Sequence, residues 1–235
     1  MSRFFLLLFL VLSVLPATAG DFEADRGSRI SWARLKYPVK GSSRYESDWD
    51  WHAHPSGDMR MIDYIRRNTT VNLKEDWNVV DVEDLEKMCA FPFIFVHGQR
   101  TQNMSAKGRR NLKEYLLRGG FIFVDDCVWQ KYDPYQDMLY QSFLVLFREF
   151  FPEVQIQRVG MDHPLFNCYF KINFFPHCQG KNNGISLVTL KGRLIGIVTS
   201  SDIHCGWVTE SWFGARKTRE AHRMGVNIYV YSMCF

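Results

Sequence analysis

The spacing of apolar and polar residues is most informative from Asn111 to Cys127, NLKEYLLRGGFIFVDDC. Leu112, Tyr115, Leu116 and Leu117 recur at helical intervals, while Lys107, Arg109, Arg110 and Lys113 cover the opposite, wet face. Ser105 stands where an N-cap is wanted, and Gly119 where a left-handed C-terminal cap is wanted. Phe121 to Val124 is then apolar without alternation, the pattern of a strand covered on both faces. Phe91 to Val96 has the same character. Two such strands joined by a helix predict a βαβ unit and a mostly parallel α/β sheet with helices on both faces.

The rest of the chain follows the same alternation of elements. Ile30 to Tyr37 predicts the first strand, and Ser56 can cap a short helix carrying Met59, Ile62 and Ile65. Val71, Leu73 and the Trp77–Val82 run predict short extended pieces, and Asp84 to Met88 a helical turn. Tyr135 to Phe151 predicts an apolar helix ended by Pro152, and Val154 to Val159 a strand. Met161 to Cys178 reads as irregular and aromatic. Gly184 to Ser200 reads as a hairpin turning at Lys191-Gly192. Thr209 to Met224 predicts a helix stopped by Gly225, followed by a last buried strand over Val226–Met233. No repeat or internal linker interrupts this, so residues 30–235 read as one domain.

The N-terminus changes the picture of where the chain works. Arg3, the apolar run Phe4 to Leu15 and Ala17-Thr18-Ala19 have the layout of a secretory signal over residues 1–19. The run is shorter than the ~20 apolar residues a membrane span needs. The sequence therefore predicts export to the periplasm or beyond, a polar leader over 20–29, and no stable span after cleavage. Net charge is +4 with scattered basic residues, so a nucleic-acid footprint is not expected. Six cysteines permit disulfides in an exported chain, with Cys168 and Cys178 the most plausible local pair. No CxxC or metal-type cysteine spacing is present, and no cofactor signature is legible.

Several segments resemble a known family: ARLKYP near the start, FPFIFVHG, LRGGFIFVDDC, DHPLF at Asp162–Phe166, GRLIGIVTSSD and the closing GVNIYVY. Together they are similar to the bacterial domain of unknown function numbered 4159. The resemblance implies a flavodoxin-like, class I glutamine amidotransferase-like α/β fold. The DHP element followed by GRLIGIVTS is similar to the trehalose-utilisation-type branch of that fold. True amidotransferases hold a nucleophilic cysteine in a tight elbow between small residues. Here the elbow would fall at Asp125-Asp126-Cys127-Val128, without flanking glycines and followed by Trp129. The late histidine–glutamate element is also absent, so the sequence argues against amidotransferase chemistry.

In open parallel sheets ligands bind beyond the carboxyl ends of the strands. At such ends the sequence places His97, then Asp125, Asp126 and Cys127, then Asp202 and His204. Asp125 and Asp126 are candidate acid/base groups or hard-metal ligands, although neighbouring strand residues point to opposite faces. Cys127 is a candidate nucleophile if His97 or His163 activates it; the competing reading is a buried thiol. His97, Asp126, Asp202 and His204 could converge on zinc or a similar ion, and His163 lies in the DHP turn. Trp49, Trp51, His52 and His54 form one aromatic group, and Trp129, Tyr132 and Tyr135 another. Either can wall a cleft or fill the domain edge. The sequence thus predicts an exported domain binding a small molecule or an envelope protein partner at the strand ends. The alternatives are a hydrolase using Asp126 with His97, Asp202 or His204, and a structural piece of an envelope assembly.

Overall fold

A computed structural model describes residues 30–40, 51–127 and 137–234. The signal and leader, Trp49, and the Trp129–Tyr132–Tyr135 group lie outside the described residues. The elements, in chain order, are β1 (Ile30–Lys36), α1 (Pro55–Asn68), β2 (Leu73–Asp81), α2 (Leu85–Cys89), β3 (Phe93–Gly98), α3 (Ala106–Leu117), β4 (Phe121–Asp126) and α4 (Met138–Phe150). They continue with β5 (Gln155–Val159), a single 3₁₀ turn at Pro164–Phe166, β6 (Ile185–Leu190), β7 (Arg193–Thr199), α5 (Ile203–Val208) and α6 (Glu210–Cys234).

The strands form one seven-stranded sheet in the order β2-β1-β3-β4-β7-β6-β5. Strands β2, β1, β3, β4 and β7 run parallel; β6 and β5 add an antiparallel flank. The two-residue pleat sorts each central strand between two cores. Ile94, Val96, Ile122 and Val124 face the core filled by Leu112 and Leu116 of α3 and Phe143 and Phe147 of α4. Phe93, Phe95, Phe121 and Phe123 face the opposite core with Ile62, Ile65, Trp207, Met224 and Ile228 from α1, α5 and α6. Helices therefore cover both faces, and the unbroken apolar strands are the sequence expression of that burial.

Local signals behave as the sequence predicts around α3. The Ser105 side chain accepts a hydrogen bond from the Gly108 amide, and Gly119 takes φ +103° beyond the helix end. Leu117 is the exception, half-exposed rather than in the stripe. At the amino end of β4 the buried Tyr115 hydroxyl reaches the carbonyls of Phe91 and Phe121 and the Phe121 amide. Gly120 makes room for it: a Cβ there would stand 2.3 Å from the Tyr115 ring.

Three expectations are corrected. Helix α1 starts at Pro55, whose fixed φ suits the first turn, so Ser56 lies inside the helix rather than capping it. Val226–Met233 is not a strand: α6 runs on through Gly225 to Cys234, and its backbone break is at Gly214 (φ 79°, ψ 155°). Gly225 is there for closeness, since a Cβ would stand 2.7 Å from Met61 Sδ and 2.8 Å from Trp207 Cζ2. Cys168 and Cys178 are both free thiols. Cys168 reaches the carbonyls of Leu165 and Asn227, while Cys178 lies against Gly206. No helix of the described residues is long and apolar enough to cross a membrane.

Candidate metal centre

Arg34, His97 and Asp125 follow the same pleat as Trp32, Phe95 and Phe123, so their side chains enter the α1/α5/α6 side at the carboxyl ends of β1, β3 and β4. Strand β7 ends beside them, and the turn Ser200–Asp202 leads straight into α5. Asp202 sits in the left-handed region (φ 50°) and caps α5 by accepting from the Cys205 amide. That corner delivers Asp202, His204 and Cys205 to the side chains from β3 and β4. Asp125 accepts from the His204 amide at 2.7 Å and so ties β4 to the same turn.

Two buried clusters result. In the first, Arg34 donates to both carboxylate oxygens of Asp58 and to the carbonyl of Ala53, and its guanidinium lies 2.7 Å from His204 Nε2. The same His204 Nε2 stands 3.1 Å from Asp58 Oδ2, so it faces the carboxylate as well as the guanidinium, while Nδ1 has no hydrogen-bond partner. Trp32 adds a hydrogen bond from its indole to Asp58. Burial alone would raise the Asp58 carboxyl, but Arg34, His204 and Trp32 outweigh it and hold the group down at about 2. Burial, with the nearby His97 and Arg34, drops His204 to about 3, so it is neutral. Gly57 admits the ring: a Cβ there would stand 2.6 Å from Nε2.

In the second cluster, His97, Cys127, Asp202 and Cys205 each bring one donor atom, all within 4.8 Å of one another, and all four residues are buried. The Cys127 and Cys205 sulfurs are 3.8 Å apart. His97 Nε2 is 3.6 Å from Asp202 Oδ1, and neither ring nitrogen of His97 has a hydrogen-bond partner. Gln179 donates to the other Asp202 oxygen, and Gln99 approaches the Cys127 sulfur at 3.9 Å. Burial lowers His97, leaving the ring neutral and its nitrogens available. The Cys205 contact works to lower the Cys127 thiol, yet burial and the carboxyls of Asp202, Asp126 and Asp125 push it up to about 12. Cys205 is raised as well, by its contact with Cys127 and by burial. Burial and the Asp202 charge raise Asp125 well above the carboxylate range, which spares the site a second buried anion.

These are the donors of a borderline-soft cation: two sulfurs, one imidazole and one carboxylate. Of the residues singled out in the sequence, the fold brings together His97, Cys127, Asp125, Asp202 and His204. It does not bring in Asp126, which belongs to the other face and accepts from the Tyr140 amide at the start of α4. Nor does it bring in His163, which caps the 3₁₀ turn and lies against Tyr231. Of the first aromatic group, Trp51 is buried, its carbonyl accepting from Arg34, and His54 packs on Trp212.

Sequence reasoning passed over Arg34, Asp58 and Cys205. An arginine inside an apolar strand (WARL) and a cysteine just past the β7 end were the available signals. Asp58 had none beyond its place in a helical first turn. No curated protein matches the chain. A family model described as a domain of unknown function (DUF4159) matches residues 32–233, from β1 to the end of α6, with both clusters inside it. The chain belongs to the DUF4159 family.

Proposed function

We propose that this chain is an exported metal-binding domain, with a zinc-class ion held by His97, Cys127, Asp202 and Cys205. One observation carries the reading. Two sulfurs bound at about 2.3 Å to a tetrahedral ion lie about 3.8 Å apart. The Cys127 and Cys205 sulfurs are separated by 3.8 Å, beside a buried imidazole whose nitrogens make no hydrogen bond. Four protein ligands close the coordination shell, the pattern of a structural or regulatory site rather than a hydrolytic one. Metal analysis of the purified protein should find one zinc per chain, lost in Cys127→Ser and Cys205→Ser and retained in Asp126→Asn. Metal-free wild-type protein in zinc-supplemented buffer would overturn the reading.

The fold reading accompanying this is flavodoxin-like, of the class I glutamine amidotransferase-like group. The parallel strand order β2-β1-β3-β4-β7 supports it, matching the flavodoxin order with β7 in the fifth place. Amidotransferase chemistry is not part of it. Among the described residues the non-glycine positions with positive φ are His54, Lys191 and Asp202, so Cys127 is not held in an elbow.

A second reading adds a small-molecule site. Strand order reverses between β1 and β3, and ligands of open α/β sheets bind at such a switch point. A cavity of about 500 Å³ opens between the segments that follow β1 and β3 and one face of α4, lined by Lys40, Gln102, Asn103, Arg109, Gln141 and Glu149 among others. Screening a polar metabolite panel by thermal shift, with Asn103→Ala and Gln141→Ala as controls, tests it. A hit that survives both substitutions would place binding elsewhere.

A further inference from the structure

We infer that the Cys127–Cys205 pair makes the metal centre peroxide-sensitive: oxidation joins the two sulfurs and expels the ion. This rests on the metal reading above and adds its regulation. The sulfurs already lie 3.8 Å apart, and closing to a disulfide asks them to approach to about 2.05 Å. Cys127 follows the end of β4 and Cys205 lies in the first turn of α5, so the bond would span elements that already pack together. A coordinated cysteine sulfur is a thiolate, the form that attacks an oxidant. The Gln99 contact is to Cys127, on the side of the cluster next to the strand end. Hydrogen peroxide is close to water in size, which suits a buried site that a bulky disulfide oxidant would enter poorly.

The chemistry balances in two steps. The Cys127 thiolate attacks one peroxide oxygen, the O–O bond breaks and hydroxide leaves, giving a sulfenic acid. The Cys205 thiolate then attacks the Cys127 sulfur, the S–S bond forms and the S–O bond breaks, releasing a second hydroxide. The two sulfurs lose two electrons and the peroxide gains them. With both thiolates gone, His97 and Asp202 remain as the only ligands of the set, too few to retain the ion.

The experiment uses the full chain, reduced and loaded with zinc, titrated with hydrogen peroxide while a colorimetric chelator reads free zinc and a thiol reagent counts cysteines. The expected result is one zinc released per two thiols lost, a Cys127–Cys205 cross-link in the peptide map, and recovery of zinc binding with dithiothreitol. Cys178→Ser should behave like the wild type. Zinc bound at the start but retained under peroxide, with Cys127 and Cys205 still reduced, overturns this inference and leaves the metal reading standing. So does a cross-link that maps to Cys89, Cys168, Cys178 or Cys234, or oxidation that halts at sulfinic acid. A reduced chain that binds no zinc at all overturns both.

Discussion

Asp58 is the residue on which the buried polar end of the molecule turns. Among the described residues it is the one carboxylate paired with Arg34, and both side chains are fully shielded from solvent. Removing one partner of such a pair strands a charge in the interior, at a cost of about 3–5 kcal/mol. Asp58→Asn should therefore lower the urea midpoint by that equivalent. A weaker change would mean that the Ala53 and Trp51 carbonyls alone satisfy the guanidinium. The pH dependence has a definite sign. The folded value, about 2, lies below the ordinary 3.8. Its stabilisation, about 2 kcal/mol by linkage, is fully present above about pH 4 and is lost as pH falls toward 2. An acid titration followed by circular dichroism, wild type against Asp58→Asn, should show that acid-sensitive component only in the wild type. At the same scale, Gly57→Ala forces a methyl into the His204 ring. Overpacking of this kind costs about 1–3 kcal/mol, readable as a fall in Tm.

Among the elements, the sequence disclosed those whose local signals agree and misled where one signal had two meanings. The α3–β4 unit carried a cap, a stripe, a glycine stop and an unbroken apolar strand, and each stands where expected apart from Leu117, which leaves the stripe for solvent. The segment GVNIYVY carried a glycine and a β-branched run, which is strand grammar. In the fold it is the buried end of a helix, because Gly225 lets α6 approach α1 and α5. Periodicity alone does not separate a buried strand from a buried helix of similar length. A different limit hid the candidate metal cluster. His97 and Asp202 were visible as strand-end residues, but Cys127 pairs with Cys205 across 78 positions, and no spacing rule reports that. Gly225→Ala tests the packing account. It should destabilise by about 1–3 kcal/mol, although alanine is the better helix former. A neutral or stabilising result would mean that Met61 and Trp207 shift enough to take the methyl, and that closeness is not why glycine stands there.

For the whole molecule, metal and fold are expected to be coupled, because an unfolded chain does not hold these four ligands together. Zinc at a hundredfold excess over its Kd should add about 2.7 kcal/mol to stability. A chelator should lower the Tm of the wild type and leave Cys205→Ser unmoved. Export is tested by intact mass after expression with the native N-terminus, which should begin at Gly20. Retention of residues 1–19 would place the chain elsewhere.

The Tyr115 clasp lies at the opposite pole of β4 from the two clusters. Its hydroxyl joins the starts of β3 and β4, a full strand length from Asp125 and Cys127. Tyr115→Phe gives up those bonds at about 1–3 kcal/mol and touches no donor atom of the ion site. A graded set of replacements there would work as a dial, loosening the scaffold stepwise while the chemistry at the far pole keeps its geometry. Tightness of ion capture could then be plotted against rigidity in one and the same protein.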